Sequence, residues 1–137
     1  MLRIVIDTNV TVSALIHKKF AAEVFDDCVT NHILFTSDWM VRELEATLKN
    51  KFKVTDKDSV AIITFIANRF ISITPNTTLP NICTDSDDNN VLQLCESANA
   101  DLLITGDRAL LELSSFKNTR IVTPRMYYDT IHHTSIS

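Results

Sequence analysis

Glycine is almost absent from this sequence. Its 137 residues contain a single one, Gly106, where average usage of about 7% would supply roughly ten. A G-x-x-x-x-G-K phosphate loop needs two glycines and a G-x-G-x-x-G dinucleotide turn needs three, so both nucleotide cradles are excluded. Collagen-like, glycine-linker and low-complexity classes go with them. Cysteine is also sparse. Cys28, Cys83 and Cys95 are an odd number with no C-x-x-C pair, which argues against a disulfide framework or a zinc site and for a reducing compartment. No apolar run approaches the ~18 residues of a membrane span. Met1-Leu2-Arg3-Ile4 leads straight into a strand-like segment with no room for a signal peptide, so the expectation is a soluble, cytoplasmic protein without membrane contact. Positive charge is in deficit as well. The 13 bases face 17 acids, a formal net charge of −4, which is not the basic face of a passive nucleic-acid-binding module.

What is present is apolar material in a regular pattern. The chain is 45% hydrophobic, and its length suits one domain spanning residues 1–137 with a core of its own. LRIVID is a short, nearly continuous β-branched run, as expected of a strand buried on both faces. HILFT (32–36), FISITP (70–75), DLLITG (101–106) and RIVTP (120–124) repeat the type. Between them stand stretches of helical period: Phe20, Val24, Phe25 and Cys28; Met40, Val41, Leu44 and Leu48; Val60, Ile63, Ile66 and Ala67; Val91, Leu94, Cys95 and Ala98. Strands alternating with helices predict an α/β fold, a three-layer α/β/α sandwich with a mainly parallel sheet of about five strands. Residues 74–86, with two of the three prolines, read as a loop.

Ligands of such sheets bind beyond the carboxyl ends of the strands, and acids stand there. Asp7 ends the first strand and Asp107 follows LLIT in the same way. Each has an ordinary reading as a helix cap, yet two strand-end aspartates in one small sheet would converge at one edge. Glu43 borders the apolar stripe of a helix entered through Ser37. Its neighbour Glu45 has Lys49 at i+4, whereas Glu43 has Thr47 and so no local base. A carboxylate near a buried face needs a partner, and a cation is the obvious candidate. Asp85, Asp87 and Asp88 precede another helix, one more acid than capping explains twice over. Several carboxylates in one place repel and their pKa values rise unless a cation neutralises them. Oxygen-only ligands select Mg²⁺, Mn²⁺ or Ca²⁺ over zinc, and His17, His32, His132 and His133 lie elsewhere in the chain. Mg²⁺ held by carboxylates suits hydrolysis of a phosphodiester, where it activates water and stabilises the leaving oxygen. Bound cations would also offset the net negative charge before a polyanionic substrate.

Four blocks, IVIDTNVTVSAL, SDWMVRELEATL, CTDSDDNNVLQLC and ADLLITGDRALL, resemble the PIN-domain ribonuclease family, in particular its branch of toxins from type II toxin–antitoxin systems. The likeness covers about residues 2 to 125. It implies Mg²⁺- or Mn²⁺-dependent endoribonuclease chemistry on an RNA substrate, a small antitoxin protein as partner, and a homodimer. It also implies the roles of particular residues. Asp7, Glu43 and Asp107 match the family's acids, and the third acid falls in the 85–89 region, as Asp88 with Asp85 in support and Asn89 as a competitor in register. Asn9, Ser13 and Thr105 match polar positions lining the site, with Asn9 and Ser13 four apart on one helical face. Arg42, Lys49, Lys51, Lys53 and Lys57 form the one basic cluster, either a solvated helix end or an edge gripping the substrate backbone. The family's small residues before ADLLITGD are replaced by CESANAD, where Asn99 can take a left-handed turn.

Two other readings stand beside this one. A phosphatase with an aspartate nucleophile also places an Asp after its first strand, but Asp7-Thr8-Asn9 lacks the D-x-D pair and Leu111 stands where a late second Asp belongs. A non-catalytic metal- or protein-binding module would use the acids as caps and contact charges. Gly106, between Thr105 and Asp107, is expected to let the backbone bend and to leave space beside an ion. On that reading Gly106→Val harms activity more than stability.

Overall fold

The computed structural model describes residues 1–17 and 19–136, with the side chains of 131–136 outside that description; those of His132 and His133 are therefore not placed. The strands are β1 (Arg3–Ile6), β2 (Ile33–Thr36), β3 (Ile71–Ser72), β4 (Leu102–Ile104), β5 (Ser115–Phe116) and β6 (Thr119–Val122). The helices are α1 (Thr8–Val12), which runs on into a π-helical turn at Ser13–His17, α2 (Phe20–Asn31), α3 (Asp38–Asn50), α4 (Asp56–Arg69), α5 (Ser86–Ser97), α6 (Arg108–Leu113) and α7 (Pro124–Ile136). Every strand-like run of the sequence is a strand. A sixth, β5, is added antiparallel to β6 through a turn with Lys117 at φ 54°.

The sheet order is β3-β2-β1-β4-β6-β5. All pairings but the last are parallel. Alternate side chains of each strand point to opposite faces, and both faces are apolar. Ile4, Ile6, Leu34, Ile104 and Val122 join one core cluster, together with Val24, Phe25 and Cys28 of α2 and Leu44 and Leu48 of α3. Val5, Phe35, Leu103 and Ile121 join the other, with Val91, Leu92, Leu94 and Cys95 of α5 and Leu110 of α6. Each such side chain, fully buried, contributes about 1.5–3 kcal/mol, which is why the strands read as continuous rather than alternating runs. Helix α7 follows Thr123, whose hydroxyl accepts from the Met126 N–H at 3.0 Å. Pro124 sits at its first position, where a missing N–H costs nothing. It docks on α2, with the Tyr127 hydroxyl donating to Asp27 Oδ2 at 2.5 Å.

The chain steps outward from β1 to β2 to β3, then crosses back to lay β4 on the other side of β1. The strand order reverses between β1 and β4, so a crevice opens beyond their carboxyl ends. The pairing of Ile6 with Ile104 brings the two exits side by side, and the Asp7 N–H donates to the Ile104 carbonyl at 2.9 Å. The 74–86 loop borders that crevice. It is tied down by buried Asn89, whose Oδ1 accepts from the N–H groups of Ile82 (3.2 Å) and Cys83 (2.9 Å) and whose Nδ2 donates to the Cys83 carbonyl at 2.9 Å. Asn89→Leu strands three polar groups at once. It is expected to lower the unfolding free energy by about 2–4 kcal/mol, read as a shift of the urea midpoint without a change in slope.

Candidate active site

A polar cavity of about 220 Å³ lies at the mouth of this crevice, lined by Asp7, Thr8, Asn9, Trp39, Glu43, Thr47, Asp85, Asp87, Asp88, Val91 and Asp107. Six of these are carboxylates, and the lining includes no lysine, arginine or histidine. None of the six makes an ion pair among the described residues. Nor do any three acid, histidine or cysteine side chains there converge into a ready-made ligand set: the carboxylates ring the space rather than meeting at a point.

Three of the acids cap helices and face the cavity as well. Asp7 is the N-cap of α1, with Oδ1 accepting the Thr8 N–H at 2.8 Å. Asp107 is the N-cap of α6, with Oδ1 accepting from the N–H groups of Ala109 (2.8 Å) and Leu110 (3.3 Å). Asp85 caps α5, with Oδ1 accepting the Asp87 N–H at 2.9 Å. Each cap occupies one oxygen, and each sits at the partially positive end of a helix. Asp88, in the first turn of α5, is only 6% exposed. Glu43 is half-buried on α3, one helical turn from Trp39 and one from Thr47.

Thr105 lies beneath the site rather than on its surface. It is fully buried, and its hydroxyl donates to Asp7 Oδ2 at 2.7 Å while accepting the Asp107 N–H at 3.0 Å. One side chain thereby fixes the spacing of the two strand-end aspartates. Asn9 is brought to the cavity, but Ser13, where α1 passes into the π-helical turn, is not among its lining residues. Asn89 turns to the preceding loop, so it does not compete with Asp88 for the cavity. Asn99 takes the left-handed turn after α5, at φ 50°.

The basic cluster lies beyond Glu43 at the far end of α3. Lys49 is placed between Glu45 and Asp56, at 4.0 and 3.8 Å, and Lys51 lies over the Phe52 ring at 5.7 Å. Arg42, Lys53 and Lys57 are exposed, and none of the five lines the cavity. Gly106 does not have a positive φ, and a Cβ built there meets nothing within 4 Å. The bend expected of glycine is thus not required at this position, though the space above it is open.

Crowding of like charge shows in the acids themselves. Burial pushes the Asp7 carboxyl up from its ordinary value against the pull of its hydrogen bonds to Thr105 and Thr8, and Asp107 adds to the rise. Asp88 is pushed up to about 6, first by burial, then by the charges of Asp107, Asp85 and Asp7 and by a hydrogen bond to Asp107 that favours its protonated form. The half-buried Cys83 thiol is raised by burial and by Asp88, Asp107 and Asp85, so its thiolate is disfavoured beside the carboxylates.

A PIN domain family model matches residues 3–109. The chain belongs to the PIN domain family. Proteins of this family are in general nucleases that use divalent metal ions. The chain is similar to the uncharacterized protein MJ1680 of Methanocaldococcus jannaschii, 30% identical over an alignment of 121 residues, with 82% of this chain and 75% of that protein covered. Its fold matches the crystal structure of VapBC2 from Rickettsia felis bound to a DNA fragment from their promoter, with a TM-score of 0.65 over 89% of this chain and 98% of that one. At 12% identity the likeness is one of fold. The sandwich expected from sequence is therefore the fold observed. What sequence reasoning passed over is Trp39 and Thr47. Their spacing four residues either side of Glu43 was the available signal, since i±4 positions share a helix face.

Two predictions follow from the geometry. A raised folded-state carboxyl stabilises the fold below its unfolded pKa, and that stability is lost as pH rises through the folded value. Metal-free Asp88→Asn is therefore expected to melt above the unsubstituted protein at pH 7.5, with the difference vanishing near pH 4. A variant of equal or lower Tm at pH 7.5 contradicts the crowding. Gly106→Ala should leave unfolding free energy within about 1 kcal/mol of wild type, on the stabilising side if anything, because it narrows the unfolded ensemble; a urea titration decides it.

Proposed function

We propose that this PIN-domain protein is a Mg²⁺- or Mn²⁺-dependent endoribonuclease and the toxin of a type II toxin–antitoxin pair. The observation that carries the nuclease reading is the ring of six cation-free carboxylates at the switch point of the sheet. Hard oxygen donors fit a divalent ion of the Mg²⁺ type, which keeps several waters and does not need an all-protein cage. Asp7, Glu43, Asp88 and Asp107 would hold it, with Asp85 in support. Bound there, the ion would supply positive charge against the phosphate oxygens and acidify an attacking water.

The chain's own part is positional. Thr105 sets Asp7 and Asp107 at a fixed separation, and each carboxylate has more acceptor sites than its hydrogen bonds use. Thr8 and the α6 amides hold the remaining oxygens, so neither side chain must be ordered when substrate arrives. The fixed like charges repel a bare phosphodiester, which makes cutting depend on the cation. Asn9 can donate to a phosphate oxygen from the rim. The charge on Asp88 must be restored for it to serve as a ligand, because carboxylates bind metal deprotonated; affinity for Mg²⁺ should therefore rise with pH through about 6.

The antitoxin partner is supported by the likeness to VapBC2, and the homodimer and cytoplasmic setting by the resemblance to the same branch of the family. Among the described residues no helix is long and apolar enough to cross a membrane. The 1–137 span is read as a single nuclease domain. Purified protein should cut RNA with Mg²⁺ or Mn²⁺, stop with EDTA, and leave DNA intact. Asp7→Asn and Asp107→Asn, which keep the caps, should each reduce cutting by more than about 100-fold with circular dichroism unchanged. Undiminished cutting by both variants would overturn the assignment.

A further inference from the structure

Trp39 is the one tryptophan of the chain, and its surroundings are not those of a core residue. It is half-buried as the second residue of α3, with one side packed on the apolar cluster that contains Met40, Val91 and Leu92. It also lines the carboxylate cavity with Glu43 and Asp88. A buried indole N–H ordinarily finds a hydrogen-bond partner. The Trp39 N–H has none among the described residues, yet is not enclosed, so it opens to solvent. Nor, among the described residues, does any aromatic ring or cation stack on the indole. Apart from Val91, the cavity offers no other apolar side chain. An indole packed on the core, one helical turn from Glu43 and without a partner of its own among the described residues, thus borders a site suited to a phosphodiester.

Resting on the nuclease reading, we propose that Trp39 is the substrate-recognition residue of this site, a platform on which an unpaired nucleobase next to the scissile phosphate stacks. An aromatic face attracts any base and discriminates by pairing state, since a base in a duplex has no free face to offer. Because the indole is held by the core, little side-chain freedom is lost on binding. The site then selects single-stranded segments or loops, and the phosphate and the base are recognised by different residues: carboxylates with their cation for one, Trp39 for the other.

The test is kinetic, with Trp39→Leu and Trp39→Phe on a single-stranded RNA oligomer and on the same oligomer carrying an abasic nucleotide at each position flanking the cut. Trp39→Leu should raise KM on the order of tenfold with kcat within a factor of three or so of wild type, and Trp39→Phe should recover most of the loss. An abasic nucleotide at one flanking position should raise the wild-type KM by a similar factor and add nothing to that of Trp39→Leu. If Trp39→Leu does not fold, titration of the wild type decides instead: its sole indole fluorescence should be quenched by the intact oligomer, and not by the fully abasic one or by duplex RNA. Asp7-dependent cutting with an unchanged Trp39→Leu KM, abasic and leucine effects that multiply, or equal quenching by the abasic oligomer overturns the stacking and leaves the nuclease reading intact. Absence of Asp7-dependent cutting overturns both.

Discussion

The hydroxyl of Thr105 is the smallest part on which the rest depends. It donates to Asp7 and accepts from the Asp107 amide, joining the exits of two strands that are adjacent only because the chain crosses back over β1 after building β3. Fully buried and engaged at both ends, it has no freedom to follow either neighbour separately. The two carboxylates are therefore held near one another although they are like groups and no lysine or arginine lines the cavity they share. Proximity of like charge is paid for elsewhere in the fold, by two apolar cores packed on both faces of the sheet.

Helix capping is a second part of that compensation. Asp7, Asp85 and Asp107 cap α1, α5 and α6, so three helix N-termini point their free amides at the same rim. The capping and site readings of an aspartate compete on the page of a sequence, but a carboxylate has two oxygens and can serve both. A cap contributes about 0.5–2 kcal/mol, and the amide ends supply partial positive charge where the acids crowd. Asp88 has no cap to make. It is buried within the same field, and it is the acid whose carboxyl is pushed furthest up, to about 6.

The five longer strand runs and the helices between them were legible because β-branched runs and helical periods are strong signals, and the strand-end acids followed from topology. The turns were less so. Lys53, Asn99, Ser114 and Lys117 have positive φ while the one glycine does not, so the usual marker of such turns is missing. The β5–β6 hairpin, turning at Lys117, was invisible for that reason, and Thr123-Pro124 read as a strand end rather than as the cap and first turn of α7. In the site, Asp88 and Asn89 could not be told apart by burial, since they are 6% and 5% exposed; successive helical positions differ by about 100°, and only coordinates show which turns to the cavity. Trp39 escaped notice because an aromatic at the edge of an apolar stripe looks like core.

Charge balance looks different once the acids are located. The net −4 of the chain argued against contact with a polyanion, but six of its 17 acids line one cavity. Setting those six aside leaves 11 acids against 13 bases, a balance of +2. The negative charge of this protein is thus a property of the site and not of its surface at large. Each divalent ion held there would offset two of those charges. Two such ions would bring the formal −6 of the cavity to −2 and so weaken its repulsion of a phosphodiester, which the bare carboxylates turn away. On the metal-dependent nuclease reading proposed above, selectivity for a metal-loaded state would follow from where the acids are, ahead of any contact with the substrate.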